Sequence, residues 1–524
     1  MLLLGIDIGT SSIKVSVVDA ATQTALASAS YPETEADIIA PQPGWAEQSP
    51  DLWWEHAKQA ILKCNASGAY NPQDIAAIGI AYQMHGLVLI DKEQQVLRNA
   101  IIWCDGRAVP IGDAAFDAIG GERCLSHLLN SPGNFTAAKL AWVKAHEPQL
   151  FERIDKVLLP GDFIAMRLTG NVTTTASALS EGIFWDFKEN GLSADVMNYF
   201  GFDEALIPSI QPLFASHGGV GADVAERLSL KPGIPVTYKA GDQPNNAFSL
   251  NVLNPGEVAA TAGTSGVIYG VSNNLRYDTQ SRINSFAHVN HNTAPTGGKT
   301  ELSDPHSPSF GGGRGEARIG ILLCINGTGI FNRWIRNLVG AQHSYESLNN
   351  EAAQVAAGAD GLMALPFGNG AERMLNNRVI GAHLHHLDFN IHTAAHLVRA
   401  TQEGIAFSLR YGLDIMRENG MHPTVIRAGK ANMFLSDVFT QSFVNVTGVP
   451  VELYQTDGSV GAALGAGVGA GIYSQPQEAF AGRKPLKLVE PSATQQYDQL
   501  YQNWNALLQA QLQQTAHHQQ TVNS

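Results

Sequence analysis

The chain has 524 residues, 44% of them hydrophobic, so it is long enough for two or three domains with buried cores. Its formal net charge of −14 disfavours nucleic acid and anionic membranes as partners, because like charges repel one another. No apolar run in the sequence approaches the roughly 20 residues that span a bilayer. Four cysteines without CxxC spacing indicate reduced thiols, so we expect a cytoplasmic protein.

Hydrophobic periodicity predicts an α/β chain from its N-terminus onwards. In chain order we expect strands at 2–8, 13–18 and 25–30, a helix at 51–63, and strands at 75–82, 100–103 and 156–159. A strand, a GTS turn and a second strand recur at 258–271. This weak repeat predicts two facing domains of related topology, which we place at 1–249 and 250–480.

Two polar segments interrupt this pattern. Residues 292–319 are rich in Gly, Pro, Ser and Thr and lack apolar periodicity, so we expect a flexible insertion that either covers a site or projects outward. Residues 481–524 are expected to form a C-terminal helix and a polar tail, with fraying from Gln511.

The loop after the first strand has the composition of a phosphate-binding turn. Gly9, Thr10 and Ser11 offer backbone amides and hydroxyls to phosphate oxygens, and Lys14 follows on the return strand. Asp7 precedes them and can only accept hydrogen bonds when ionised, so it needs a mediator, for which hydrated Mg²⁺ is the natural choice. The alternative is an ordinary hairpin whose Asp stabilises the turn.

A second loop with the same chemistry follows the strand at 258–262. Thr264, Ser265 and Gly266 repeat the hydroxyl and glycine pattern without an acid. Alone, this loop is compatible with an ordinary turn. Paired with the first loop, it predicts phosphates held from two sides.

Asp242 lies between the two loops in the sequence. It follows Gly241, a few residues after the apolar run 234–238. A carboxylate at the end of a buried strand is a candidate general base for an attacking hydroxyl. A helix cap or turn residue is the structural alternative.

Other strand ends carry polar or small residues that suit a sugar or a nucleoside. Sugar contacts are expected from Gln83, Met84, His85, Trp103 and Asp105. Asp105 can pair either with a sugar hydroxyl or with Arg107. The small-residue turn at 426–432, with Gly429 and Asn432, allows a flat ring to lie against the backbone. The small residues of 457–466 are more typical of a closely packed helix.

These motifs occur in one order along the chain: GIDIGTSSIK, QMHG, WCDGR, FTAAKLAWVKAHEP, LLPGDFIAMRLTG, AGDQ, TAGTSG, LPFGNGAER, HLVRATQEGIAF and DGSVGAALGA. From residue 1 to about residue 475 the chain resembles the FGGY family of carbohydrate kinases. The resemblance implies two actin-like, ribonuclease H-like domains around a central cleft that holds ATP, Mg²⁺ and a sugar. Within the family, QMHG, WCDGR and the segment 156–170 most resemble the D-xylulose kinases.

The resemblance also implies roles for individual residues. Asp242 matches the base that deprotonates the sugar hydroxyl, Asp7 matches the acid near the metal and phosphates, and Met84 and His85 match the sugar contacts. The second phosphate loop corresponds to Thr264, Ser265 and Gly266. The adenosine loop corresponds to Gly429 and Asn432, and Trp334 corresponds to an aromatic residue on the nucleotide side. Two departures stand out: IRAGKAN replaces the family's usual triple glycine, and Gln243-Pro244 follows the catalytic Asp.

The activity implied is phosphorylation of a ketopentose, with D-xylulose and its 5-hydroxyl as the leading expectation. Another pentulose or polyol, such as L-ribulose, L-xylulose or a glycerol-like compound, stays open as the acceptor. A non-catalytic sugar-binding regulator is less favoured, because Asp242 is present. The expected partners are therefore small molecules, and a homodimer is one option for the oligomeric state.

Overall fold

A computed structural model describes residues 1–292 and 317–522 of the chain. The strands are β1 (Leu2–Ile8), β2 (Ile13–Asp19), β3 (Thr24–Tyr31), β4 (Glu47–Gln48), β5 (Ile75–Tyr82), β6 (Val88–Ile90), β7 (Ala100–Ile101), β8 (Lys156–Leu158), β9 (Thr173–Thr174), β10 (Trp185–Asp186), β11 (Gly191–Leu192), β12 (Ser209–Ile210), β13 (Val236–Gly241), β14 (Val258–Ala262), β15 (Gly266–Ser272), β16 (Asn284–Ala287), β17 (Ile319–Ile325), β18 (Met363–Phe367), β19 (Gly381–His385), β20 (Ile426–Gly429), β21 (Val451–Tyr454) and β22 (Lys487–Val489).

The α-helices are α1 (Pro50–Asn65), α2 (Val109–Ile119), α3 (Gly121–Leu128), α4 (Thr136–His146), α5 (Pro148–Phe151), α6 (Pro160–Thr169), α7 (Ala176–Glu181), α8 (Ala194–Phe200), α9 (Ala222–Leu228), α10 (Asp242–Ser249), α11 (Gly329–Gly340), α12 (Tyr345–Ala353), α13 (Ala394–Glu418), α14 (Asp437–Thr447), α15 (Gly458–Gly469) and α16 (Thr494–Val522). Across the described ranges, none of them is long and apolar enough to cross a membrane.

Two large sheets repeat one topology. The first has the order β13-β5-β1-β2-β3, and the second contains the run β21-β20-β14-β15-β17. In each sheet, three consecutive neighbours are antiparallel: β1, β2 and β3 in the first and β14, β15 and β17 in the second. Two further strands run parallel to the first of these three: β5 and β13 beside β1, and β20 and β21 beside β14. The weak sequence repeat is therefore a real structural repeat, and the predicted two-domain α/β fold is confirmed.

Helix α15 belongs to the second half of the chain but packs against the first sheet, over β1, β2, β5 and β13. Its residues from Ser459 to Val468 are buried. Small residues permit this close contact: a β-carbon placed on Gly79 of β5 would lie 1.9 Å from the carbonyl oxygen of Ala462. The sequence prediction of a closely packed helix is confirmed, and the packing ties the two halves together.

Helix α10 lies between the two sheets. It begins directly after β13 of the first sheet, and it packs against β14 and β15 of the second sheet and against α15. The first residue of α10 is Asp242, so the candidate base stands where the two halves meet.

The structure bears differently on the predictions for the two polar segments, 292–319 and 481–524. Most of the expected insertion, residues 293–316, lies outside the described residues, and Ile319, its expected last residue, begins β17. Helix α16 continues past Gln511 to Val522. Its apolar residues recur at helical spacing, with Leu508 and Leu512 buried, which explains why the polar composition does not end the helix there.

Candidate active site

Two acids at the ends of β1 and β13, the two strands that flank β5, form the centre of the site. Desolvation and the charge of Asp457 raise the pKa of Asp7 to about 6, against a smaller opposing effect of Lys14. Desolvation and the charge of Asp7 raise the pKa of Asp242 to about 7, against hydrogen bonds from Gln243. The structure thus brings together the two carboxylates that the sequence singled out separately.

Asp457 is a third acid, and sequence reasoning missed it as a site residue. It forms an ion pair with Lys14 (3.7 Å) and caps α15 by accepting a hydrogen bond from the Ser459 amide (2.8 Å). The next residue, Gly458, packs on Asp7: a β-carbon there would lie 2.3 Å from the Asp7 carboxylate. The available signal was positional, because Asp457 follows a strand as Asp242 does.

The first loop is joined to the predicted sugar segments through Thr10. The Thr10 hydroxyl donates to Gln83 Oε1 (3.2 Å) and accepts from the indole N–H of Trp103 (3.0 Å). The Gly9 amide donates a hydrogen bond to the Ser12 carbonyl (3.2 Å), which closes the turn, and the side chain of Ser11 is exposed. Gln83 and Trp103 are therefore neighbours of the first loop.

Met84 and His85 follow β5 beside the candidate base. Met84 is buried, and a β-carbon placed on Gly241 would lie 2.7 Å from its Cγ. His85 has a left-handed backbone (φ 62°), and its ring lies edge-on to Phe135, with 4.8 Å between the ring centroids. Met84 and His85, the sugar contacts predicted from the sequence, thus lie beside β13, the strand that precedes Asp242.

Two buried residues that the sequence did not reveal hold His85. The backbone N–H of His85 donates to Glu181 Oε2 (3.3 Å), and Lys139 Nζ donates to the His85 carbonyl (2.9 Å). Desolvation raises the pKa of Glu181 well above its usual value and lowers that of Lys139 to about 7. A lone Glu and a lone Lys in helical segments carry no motif, so no sequence signal identified them.

The second half of the chain also reaches the His85 region. Arg373 donates to the hydroxyls of Ser131 and Ser281 (2.8 Å each), and its guanidinium lies over Phe135, 5.2 Å from the ring centroid. Phe286 of β16 lies 5.2 Å from the His85 ring, measured between centroids. Both halves therefore enclose the predicted sugar side.

Asp105 is buried and paired with Arg107 in the structure. Its side chain is fully buried, and its carboxylate accepts from Arg107 Nε (2.9 Å) and Nη2 (2.7 Å) and from the Ala46 amide (2.5 Å). Of the two options that the sequence left open, the structure thus shows the ion pair with Arg107. Because these donors occupy both carboxylate oxygens, we correct the expectation of a sugar contact for Asp105.

The second loop rests on the N-terminus of α11. The Gly329 amide donates to the Gly263 carbonyl (2.8 Å) and the Ile330 amide to the Thr264 carbonyl (3.3 Å). The side chain of Thr264 is exposed, Ser265 is partly exposed, and Gly266 begins β15. The first two amides of α11 thus hold the backbone of the second loop in place.

The predicted adenosine residues lie beside this loop. Asn432 has φ 54°, and its amide nitrogen would lie 3.5 Å from a β-carbon placed on Gly263. Gly429 ends β20 and packs near Thr456, one residue before Asp457. Trp334 is 54% exposed on α11. Asn432 therefore adjoins the second loop, and Gly429 adjoins the turn at 456–458 that carries Asp457.

The acids also provide a fit for a divalent cation. Asp457 raises the pKa of Asp7, and Asp7 raises that of Asp242, so the three acids place negative charge together, and Lys14 opposes it in part. Across the described ranges, no three His, Cys, Asp or Glu side chains are grouped to ligate a metal directly. Mg²⁺ retains several of its waters in protein sites, so this arrangement suits a hydrated ion.

Comparison with protein-family models decides the family. The FGGY family of carbohydrate kinases, N-terminal domain, matches residues 2–249, and the C-terminal domain of the same family matches residues 258–470. The chain belongs to the FGGY family of carbohydrate kinases. As an FGGY kinase it is an ATP-dependent sugar kinase, and the paired domains described above are the two actin-like domains of that family.

Curated relatives match this FGGY kinase over most of its length. The xylulose kinase of Escherichia coli (strain K12) is 28% identical over 493 residues, 93% of each chain, and that of Bacillus subtilis (strain 168) is 29% identical over 489 residues, 91% of this chain and 90% of the relative. The crystal structure of xylulose kinase from Rhodospirillum rubrum is 25% identical, with a TM-score of 0.83 over 98% of this chain and 100% of that one.

The same fold occurs with a different named substrate. A gluconate kinase structure from Lactobacillus acidophilus is 20% identical and has a TM-score of 0.84 over 98% of each chain. At that identity the likeness shows the fold alone. The fold of this FGGY kinase therefore does not determine its sugar.

Proposed function

We propose that this FGGY kinase transfers the γ-phosphoryl group of ATP to the 5-hydroxyl of D-xylulose, with Asp242 as general base. The observation that carries the proposal is the position of Asp242 as the first residue of α10, directly after β13. Burial at this position raises the pKa of Asp242 to about 7. A general base works best when its pKa lies near the operating pH. Asp242 also adjoins Met84 through Gly241, so the base stands next to the proposed sugar site.

The sugar is proposed to lie against Met84 and His85, with Gln83 and Trp103 at the border to the first loop. Gln83 and Trp103 both hydrogen-bond to Thr10, so they connect sugar binding to phosphate binding. His85→Ala is expected to raise the sugar KM by about tenfold or more, because a site that hydrogen-bonds its substrate loses affinity when the bond is removed.

ATP is proposed to lie between the two loops, with its adenosine toward α11. Its phosphates would contact Gly9, Thr10, Ser11 and Lys14 on one side and Thr264, Ser265 and Gly266 on the other, and its adenosine would contact Gly429, Asn432 and Trp334. The proximity of Asn432 to Gly263 supports one continuous nucleotide site. Backbone amides and hydroxyls of glycine-containing turns suit phosphate oxygens without a Walker A lysine.

Mg²⁺ is proposed to bind near Asp7 through water, with Asp242 and Asp457 contributing negative potential. When bound, the ion would supply charge neutralisation for the phosphates. Asp242 itself would accept the proton of the sugar hydroxyl as that oxygen attacks. A cytoplasmic location is proposed on the cysteine spacing of the sequence, in which no CxxC pair occurs.

D-xylulose is preferred as the acceptor because curated relatives that cover nine-tenths of the chain are named xylulose kinases. Another pentulose or a polyol is the alternative. The test is a coupled ADP-release assay with D-xylulose, L-xylulose, L-ribulose, D-ribulose, gluconate and glycerol, each with Mg²⁺ and ATP. We expect the highest kcat/KM for D-xylulose. A higher value for another acceptor would reassign the substrate, and no sugar-dependent ADP with any acceptor would indicate a non-catalytic regulator.

A further inference from the structure

The backbone of His85 is fixed from both sides. A left-handed conformation is uncommon for a residue with a side chain and persists only where the surroundings enforce it. Here Glu181 Oε2 accepts the His85 N–H (3.3 Å), and Lys139 Nζ donates to the His85 carbonyl (2.9 Å). Glu181 is 2% exposed and Lys139 0%, so water does not compete effectively for these bonds.

The ring of His85 is fixed as well. Its Nδ1 lies 2.9 Å from the backbone carbonyl oxygen of Glu181. A carbonyl oxygen only accepts, so Nδ1 must carry the proton in this hydrogen bond. Burial and the charges of Lys139 and Arg373 lower the pKa of His85 to about 3, so the ring is neutral at physiological pH. In a neutral ring protonated at Nδ1, Nε2 has a free lone pair.

We propose that Glu181 and Lys139 are positioning residues that hold His85 as a hydrogen-bond acceptor through Nε2, so that the site reads a sugar hydroxyl and not a carbonyl oxygen. Among the described residues Nε2 has no hydrogen-bond partner, and the side chain of His85 is 17% exposed. The proposal rests on the proposed function in one respect, namely that His85 contacts the sugar.

Glu181 also connects the sugar segment to the strand of the base. Its Oε1 accepts from the Tyr82 hydroxyl (2.5 Å), and a β-carbon placed on Gly241 would lie 3.3 Å from Oε2. One carboxyl group therefore touches the end of β5, the backbone of His85 and the residue before Asp242. A shift of Glu181 would change the distance between the sugar contact and the base.

The most direct test uses the unmodified enzyme. Histidine labelled with ¹⁵N is incorporated into the full chain, and the signal of His85 is assigned by its loss in His85→Gln. At pH 7 we expect the ¹⁵N shifts of a neutral ring with a protonated Nδ1 and an unprotonated Nε2. An Nε2-protonated ring or an imidazolium would overturn the proposal, whatever the enzyme phosphorylates.

Kinetics then test the two positioning residues. Lys139→Met keeps the length of the side chain but removes the donor, and Glu181→Met keeps a similar length but removes both acceptor oxygens. We expect each variant to raise the D-xylulose KM by about tenfold, with the ATP KM within about twofold of the wild-type value. Lys144→Met is the matched control: Lys144 lies on the same helix but donates to the carbonyls of Phe200 and Gly201.

The double variant separates positioning from general stability. In a His85→Ala background, Lys139→Met is expected to add less than about twofold to the sugar KM, because the group that it positions is gone. Additive effects, or an equal rise in the ATP KM, would contradict the proposal. Failure of the proposed function would look different: no acceptor would be phosphorylated, or Asp242→Asn would remain active, while the NMR result would be unaffected.

Discussion

The negative charge of Asp7 contributes directly to the raised pKa of Asp242, although the two residues are 235 positions apart in sequence. Asp7 lies near the C-terminal end of β1, and Asp242 directly follows β13. These two strands flank β5 in the first sheet. This relationship gives the site a carboxyl group whose pKa is raised to about 7. Asp7 thus tunes the proposed base in addition to its proposed role near the metal.

Replacing the proposed base should abolish most turnover. Asp242→Asn keeps the size of the side chain but cannot accept the proton, so we expect kcat to fall by about 10²–10⁴-fold. The ATP dissociation constant, measured by calorimetry, should change by less than about threefold. Asp223→Asn, at an exposed position in the first turn of α9, is the control and should keep wild-type kcat. Wild-type kcat in Asp242→Asn would remove Asp242 from the mechanism.

The pH profile should report the same carboxylate. A base acts when it is deprotonated, so kcat/KM should fall as pH drops below about 7, the value to which the pKa of Asp242 is raised. In Asp7→Asn a neighbouring negative charge is lost, which lowers the pKa of Asp242, so the acid limb should move to lower pH. An acid limb that stays in place, or moves to higher pH, would show that Asp7 does not influence the base.

The raised pKa also has a stability consequence. The folded protein binds the Asp242 proton more tightly than the unfolded chain, so ionisation at this position costs stability increasingly as pH rises from about 4 to about 7. Asp242→Asn removes this cost. We expect its thermal midpoint at pH 8 to exceed that of the wild type by about 2–4 °C, with a smaller difference at pH 4.5. A lower midpoint at pH 8 would indicate that the Asp242 carboxylate stabilises the fold.

Close packing of α15 on the first sheet should make Gly79 intolerant of a side chain. In Gly79→Ala the new methyl group would meet the Ala462 carbonyl at 1.9 Å, so we expect a loss of about 1–3 kcal/mol in unfolding free energy. Urea denaturation measures this loss. Gly191→Ala is the matched control, because its nearest neighbour would lie 3.9 Å away, and it should stay within about 0.5 kcal/mol of the wild type.

Local sequence patterns predict the strands, helices and turns, but not the contacts between residues that are distant in the sequence. The GTS turns and the strands around them predicted two related sheets, and Asp7 and Asp242 were found because each follows or ends an apolar run. Glu181 and Lys139 were not found, because their role exists only through contacts with His85 across 96 and 54 residues. The packing of α15 on the opposite sheet likewise depends on tertiary contacts and not on periodicity.

The options at Asp105 show the same limit. The sequence WCDGR placed an acid and a base two residues apart but did not determine whether either would be exposed. The structure buries the pair, since Arg107 and the Ala46 amide satisfy both oxygens of Asp105. Burial of this kind depends on which surfaces meet in the folded chain, which the spacing of residues does not encode.

The central claim is transfer of phosphate from ATP to the 5-hydroxyl of D-xylulose, with Asp242 as the base. The most direct measurement follows the reaction of wild type and Asp242→Asn with ATP, Mg²⁺ and ¹³C-labelled D-xylulose by ³¹P and ¹³C NMR. We expect the wild type to form ADP and D-xylulose 5-phosphate in equal amounts, and Asp242→Asn to form neither at a comparable rate. ADP without a sugar phosphate, phosphate at another carbon, or equal rates in both proteins would contradict the account.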